Sequence, residues 1–443
     1  MKIIKPNWKN NFLECPPRAA EDGLTIIGTL ALSLILSLAL TGILSVTSTE
    51  ASLSRQLNHS MRALFMSEAG ISLGEGHLWN LVSNPPAGTA TLYPFGTSPL
   101  SPPGGGSGTY EVSIAPDADN PTNDMKMYTV QSIGESDDRL RTIETDIQME
   151  SFAKFAYFSN NEYNSFYGFN IWFTSSDVIQ GPLHSNDQIS IYNNPVFLGL
   201  VSSTASSFNY YHGGPPADNP TFDKGYELGA DPVVLPIDLS ILTDKVASGG
   251  LQINSDSLIT LNSDGTMTYT DGLGGNVTSQ TINLSAINGT VFVDGVAAVK
   301  GTLNGRLTIG SSDDMLIVDN IVYNTDPTVD PASTDTLGLV SEKNVEVWKN
   351  APYDVEVNGV LMALENSFEV QDWDKTSNLK GTLSIFGGLI QEFRGPVGTF
   401  YSSTGQKRSG YTKNYSYDTR MRTNPPPGFP LTGHFERVAW REV

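Results

Sequence analysis

The sequence predicts two parts. The first is an α+β amino-terminal part, one long helix with a small antiparallel sheet. The second is a mainly-β domain, most simply a parallel β-solenoid (a β-helix), with a β-sandwich as the alternative. Three observations predict this. No charged residue occurs from Gly23 to Thr49, and helical spacing of apolar residues continues beyond that run. A Pro/Gly-rich stretch then leads into alternating strands. From Ser151 onward short Val-, Ile- and Leu-rich runs recur, separated by Gly, Asn or Asp.

The bounds fit this division. At 443 residues the chain has room for two or three domains. It carries 47 acidic against 26 basic residues, a net charge of −21, which argues against nucleic acid as a partner because phosphate binding needs a basic face. Charged residues make up 16%, while Gly (42) and Pro (26) are abundant, a balance suited to an extracytoplasmic β-protein rather than a helical cytosolic enzyme. The single cysteine, Cys15, precedes the apolar run, so no disulfide closes within the chain.

The charge-free run exceeds the roughly 20 residues that span a bilayer and the roughly 7–15 of a secretory signal. Lys2, Lys5, Lys9 and Arg18 precede it, which predicts a cytoplasmic amino end with the bulk of the chain outside. The run continues as "TSTEASLSRQLNHSMRALFMSEAGISL", in which Leu53, Leu57, Leu64, Phe65 and Ile71 keep helical spacing. No proline occurs between Arg18 and Asn84. We therefore expect a basic leader over 1–23 and one helix over 24–83, spanning a membrane at 24–49 and amphipathic at 50–83.

Two stretches of this segment carry a resemblance. "GLTIIG" resembles the type IV prepilin processing motif, and "RALFMSEAGISL" is similar to the amino-terminal region of PilX-type minor pilins. The resemblance implies cleavage after Gly23 by a prepilin peptidase, N-methylation of Leu24, and packing against other pilin subunits. It also exposes a departure. Pilins carry Glu at the fifth mature position, where this chain has Gly28. In the family that carboxylate neutralises a neighbour's amino terminus, and a buried charge needs a partner. Gly28 thus suits a tip or priming subunit, or a relative outside the filament.

After the helix, residues 84–150 read as a linker and a small meander. "TYEVSI" and "LRTIETDIQM" alternate apolar and polar residues, and "ESDDRL" is the sharpest turn signal. The amphipathic half of the helix, through Leu57, Leu64, Phe65 and Ile71, is expected to cover the apolar face of this meander. Residues 151–443 form the β-rich domain. Its last part, 411–443, holds Tyr411, Tyr415, Tyr417, Phe429 and Trp440, which are expected to cap the end of the stack. Segments such as "GPLHSNDQISI" and "KGTLSIFGGLIQEFRGPVGTF" also resemble an uncharacterised bacterial domain often fused to PilX-like amino termini.

Candidate chemistry is sparse. His184 in "GPLHSND" sits beside Asn186 and Asp187, and hydrogen bonding at a turn is the simpler reading of it. Asp313, Asp314 and Asp319 are the calcium candidates within an acidic stretch, though solvated turn aspartates explain them as well. Arg306 and Arg394 lie in Gly-containing turns that favour braces for neighbouring carbonyls. No P-loop, dinucleotide or G-x-S-x-G pattern occurs. The expectation is a non-enzymatic minor pilin or pilin-like subunit without a cofactor. Its β-domain would serve assembly initiation, tip display or adhesion to a surface glycan or host ligand. The alternatives are a permanently anchored surface binding protein, or an anchored polysaccharide-degrading β-helix enzyme.

Overall fold

The computed structural model describes residues 22–79, 91–95, 97–100, 108–116, 126–275, 277–401 and 406–443. The leader expected over 1–23 lies outside the described residues up to 21, as does most of the linker from 84 to 107. The chain opens with helix α1, Asp22–Trp79, a single 58-residue helix as the unbroken spacing predicts.

The carboxyl-terminal third of α1 sits on an antiparallel sheet. Its strands are β1 (Thr97–Leu100), β2 (Gly108–Pro116), β3 (Met127–Ser136) and β4 (Arg139–Ser151), paired in that order. Asp137 and Asp138 both take positive φ (51° and 65°) between Ser136 and Arg139, the two-residue hairpin that "ESDDRL" foretells. Alternation aims Tyr110, Val112, Ile114, Val130, Ile143 and Ile147 at the helix, where they join Met66, Ile71 and Leu78 in one core. Each such buried side chain contributes about 1.5–3 kcal/mol.

The face of α1 that meets the sheet matches the expected one in part: Ile71 is in the core and Leu64 packs against it, whereas Leu57 and Phe65 do not. Ala63, Met66, Ser67, Gly70, Ile71, Gly74 and Leu78 are buried, whereas Leu57 (58% exposed) and Phe65 (54% exposed) point away and Leu64 is half-buried. Backbone proximity is the reason. A Cβ on Gly70 would lie 2.1 Å from Ser132 Oγ, and one on Gly74 2.7 Å from Val130 Cγ1. Small residues let the helix approach closely, and Ser67 Oγ bridges the contact by donating to Arg141 O (2.5 Å) and accepting from Gly134 N (3.0 Å).

Beyond Ser151 the structure is mostly β, with a 22-stranded sheet among the described residues. Its strands lie largely parallel in long ladders. One ladder runs Leu251–Ile253, Thr290–Val293, Arg306–Ser311, Thr336–Ser341, Val355–Ala363 and Leu379–Phe393. It then passes to β5 (Tyr157–Asn161), Leu183–Ser185, Val201–Ser203 and Tyr226–Leu228. A second ladder joins Ser257–Leu261, Ala297–Leu303, Met315–Tyr323, Val345–Val347 and Phe368–Val370. In-register stacking buries Ile309, Leu339, Leu361 and Leu389 within one apolar core, which is why these strands read as continuous hydrophobic runs.

Spatial order departs from chain order. The chain enters mid-ladder at β5 and advances to Tyr226–Leu228. It returns through residues 229–239 to helix α2 (Ser240–Ala247) and restarts at Leu251 on the opposite edge. The return segment is tied down as it crosses: Ala230 N donates to Ser203 O and Val233 N to Asn186 Oδ1. Leu242 and Val246 of α2 then cover the starting edge.

The carboxyl-terminal residues do not form one cap. Tyr411 and Tyr415 lie in the strand Lys407–Ser416, inside the parallel stack, and are buried. The final strand, Leu431–Glu442, instead pairs antiparallel with β4 as the fifth strand of the first sheet. Trp440, expected in the cap, stands opposite Thr145 at 47% exposure. The β-rich domain is therefore inserted between two neighbouring strands of the helix-bearing sheet. Phe152 N donates to Pro430 O (3.1 Å) where the two connections meet.

Candidate functional site

Among the described residues the amino-terminal half of α1 is a long unpartnered surface. From Thr25 a helix long and apolar enough to cross a membrane begins, and none of its most apolar window is buried. Ile26, Ile27, Leu30, Leu34, Leu38, Ile43 and Val46 are all more than half exposed. Five of its polar side chains turn inward on the helix backbone. Thr29 Oγ1 donates to Ile26 O, Ser33 Oγ to Leu30 O, Ser37 Oγ to Ser33 O, Thr41 Oγ1 to Ser37 O and Thr47 Oγ1 to Ile43 O, all within 3.0 Å. In hydrocarbon every polar group must find an internal partner, and these do. Gly28 stands open, with nothing within 4 Å of where a Cβ would be. Gly23 and Leu24 occupy the first helical turn.

The exposed stripe does not stop at Thr49. Leu53, Leu57, Met61 and Phe65 follow at four-residue spacing, on the side turned from the sheet. Below them Arg141 Nε donates to Ser60 Oγ (3.0 Å), and Glu75 accepts two hydrogen bonds from Arg437 of the final strand, each 3.0 Å. The helix is thus fixed to its sheet at one end and bare along the rest.

The residues singled out in the β-rich domain resolve into separate roles. His184 is buried, stacked on Phe158, with Nδ1 2.8 Å from Ser202 Oγ and Nε2 2.9 Å from Asn186 Oδ1. Burial lowers its pKa, so it is neutral at pH 7. Asn186 in turn donates to Val233 O, so this pair pins the return segment. Arg306 donates to Pro425 O (2.7 Å), as a carbonyl brace. Arg394 is no such brace. It forms a fully buried ion pair with Glu162 (2.8 Å), and its guanidinium lies 3.6 Å from the Phe173 ring centre.

The calcium candidates separate too. Asp313 pairs with Lys343 (2.9 Å), Asp314 accepts from Asn344 N and Nδ2, and Asp319 accepts from Asn320 N. Among the described residues no three acidic, His or Cys side chains are grouped to hold a metal ion. Asp326 and Asp330 close turns by accepting from Thr328 N and Ala332 N.

Two constellations escaped sequence reading. One is the buried set Arg394–Glu162 and Lys413–Asp177 (3.0 Å), whose partners lie more than 200 positions apart. The other is a groove of about 420 Å³ lined by Tyr167, Glu346, Lys349, Glu369, Gln371 and Trp373. Only the parallel register Glu346↔Glu369 brings its two glutamates side by side, and no local motif marks them.

Comparison with known proteins adds little chemistry. Residues 124–206, which take in β3 and β4 of the first sheet and run on into the parallel stack, match the family described as "Domain of unknown function (DUF4900)". No curated protein matches the chain. Among solved structures the chain is similar to the competence-associated pilin ComZ from Thermus thermophilus, at 12% identity and a TM-score of 0.34. That alignment covers 87% of this chain and 98% of that one. At that score the fold has to be argued from the chain itself.

Proposed function

We propose that this protein is a type IV pilin-like minor subunit, of the PilX type at its amino terminus. In this reading α1 anchors the chain in the membrane and packs against other pilin helices. The β-rich domain, whose ladders we interpret as the coils of a β-solenoid, is carried outside for assembly initiation, tip display or adhesion. The observation that carries the reading is the helix itself. One 58-residue element is bare and apolar in its first half and seated on a small antiparallel sheet in its last third. That division provides a membrane span and a rigid head on one element, and it leaves a continuous apolar stripe for a neighbouring helix.

On this proposal the leader is removed after Gly23 by a prepilin peptidase, Leu24 is methylated, and the amino end faces the cytoplasm. Gly28 leaves the subunit without the carboxylate that would neutralise a neighbour's amine, which fits the tip rather than the shaft. The protein acts by binding rather than by catalysis, and no cofactor is invoked. The test is mass analysis and amino-terminal sequencing of the protein from cells with and without an active prepilin peptidase. The expected product starts at Leu24 only when the peptidase is active. An unprocessed end in both strains would overturn the pilin reading in favour of a permanent membrane anchor.

A further inference from the structure

The groove of the parallel stack carries an inference independent of how the helix is processed. We propose that it binds an alkylammonium group, with Tyr167 and Trp373 as one wall and Glu346 and Glu369 as the other.

The carboxylate wall follows from topology. Glu346 and Glu369 are register partners on adjacent parallel strands, so their backbones stand about 4.8 Å apart with both side chains on one face. Each uses only one oxygen. Glu369 Oε2 accepts from Tyr167 Oη (2.8 Å), and Glu346 Oε2 accepts from Gln371 Nε2 (2.5 Å). Among the described residues nothing donates a hydrogen bond to either Oε1 atom. Two like charges held side by side in a half-buried groove repel each other, and a cation between them relieves the repulsion.

The aromatic wall has its own selectivity. Tyr167 and Trp373 meet edge to face at 5.4 Å, and Phe169 backs both at 5.8 and 6.0 Å. Ring faces attract cations and cover methylene groups. A carboxylate pair alone would suit a hydrated metal ion. Beside aromatic rings it suits a cation with an apolar body, whose N–H groups reach the free carboxylate oxygens. The surrounding charge agrees. Asp314 and Asp374 add negative potential, Asp372 is neutralised by Lys375 (2.6 Å), and among the described residues Lys349 is the one cation lining the groove.

A pH signature follows. Glu369 titrates at about 7, raised chiefly by burial, with Glu346 and Asp314 pushing the same way and the Tyr167 hydrogen bond opposing. A cation that requires the ionised form meets about a tenth of it at pH 6 and about nine-tenths at pH 8. Apparent affinity should therefore rise on the order of tenfold across that range.

The experiment is calorimetric titration of the full chain in detergent micelles. The probes are cadaverine, a peptide amide with one lysine, 1,5-pentanediol, cellotetraose and calcium chloride. Cadaverine or the lysine peptide should bind, more tightly at pH 8 than at pH 6, and whichever is tighter identifies a free polyamine or a lysine side chain as the source. Glu369→Gln should abolish the pH dependence, and Trp373→Ala should weaken binding at least tenfold with unchanged secondary structure. Equal binding of the diol, binding of cellotetraose or calcium in place of the amines, or no heat with any probe would each overturn the proposal.

Discussion

At the scale of single residues, the buried charges are the most constrained feature. Arg394 and Glu162 are 3% and 1% exposed, and Lys413 and Asp177 lie on the same interior. Removing such charges from water costs several kcal/mol each, so the pair holds only because both members are present. Glu162→Gln or Arg394→Met alone should therefore destabilise the fold by about 3–5 kcal/mol in chemical denaturation, while the double replacement should cost clearly less. Glu369 gives a prediction of opposite character. Its pKa is raised from 4.5 to about 7, so the folded state holds a proton that the unfolded chain releases earlier. Its contribution is fully present below pH 4.5 and is lost as pH rises through 7. The shift corresponds to at most about 3 kcal/mol, and solvent screening in the open groove reduces this to roughly 1–2 kcal/mol. Glu369→Gln should leave stability unchanged at pH 4 and raise it by that amount at pH 8, measured from urea midpoints.

At the scale of elements, α1 carries two faces that the sequence displays unequally. Its existence and length were legible, because charge-free residues and helical spacing run without a proline from one end to the other. Its seat was legible only in part, through Ile71 and Leu64. Periodicity weighs hydrophobicity and so selects Leu57 and Phe65, whereas close packing weighs size and selects Ala63, Ser67, Gly70 and Gly74. The two faces separate experimentally. Gly70→Leu would drive a side chain into Ser132 and Val112, and overpacking of this kind costs about 1–3 kcal/mol. The melting temperature should fall. Replacing Leu53, Leu57 and Phe65 together by Ser touches only exposed positions and should leave melting unchanged. On the packing role proposed for this stripe, the triple variant should lose helix-mediated association with other pilin subunits, read by cross-linking in membranes. Loss of stability in the triple variant would place those residues in the seat after all.

At the scale of the whole molecule, the chain is organised by contacts that no local pattern announces. The short strands of the β-rich domain were legible from their punctuation. The register that brings β5 beside Leu379–Phe393 was not, because the ladder joins stretches over 200 residues apart. The final strand was missed for the same reason. "LTGHFERVAWRE" alternates weakly, and its partner β4 lies about 290 positions away. This pairing makes the β-rich domain an insert held by two connections, and it ties the first sheet together electrostatically. Arg441 bonds Glu144 (2.8 Å) and Asp146 (2.5 Å), Arg437 bonds Glu75, and Arg141 bonds Glu442 (2.6 Å). Deleting 431–443 would remove all of these partners at once and leave β4 as an open edge. Exposed ion pairs contribute little individually, so the lost ladder hydrogen bonds and the uncovered Tyr128–Phe435 ring contact should dominate the cost. Hydrogen exchange should then show β4 losing protection first, with β3 and the seat of α1 following. The parallel stack has its own core, which includes none of these residues, and should keep its protection. Collapse of protection across both regions would show that the two connections, rather than the stack's own core, hold the inserted domain in register.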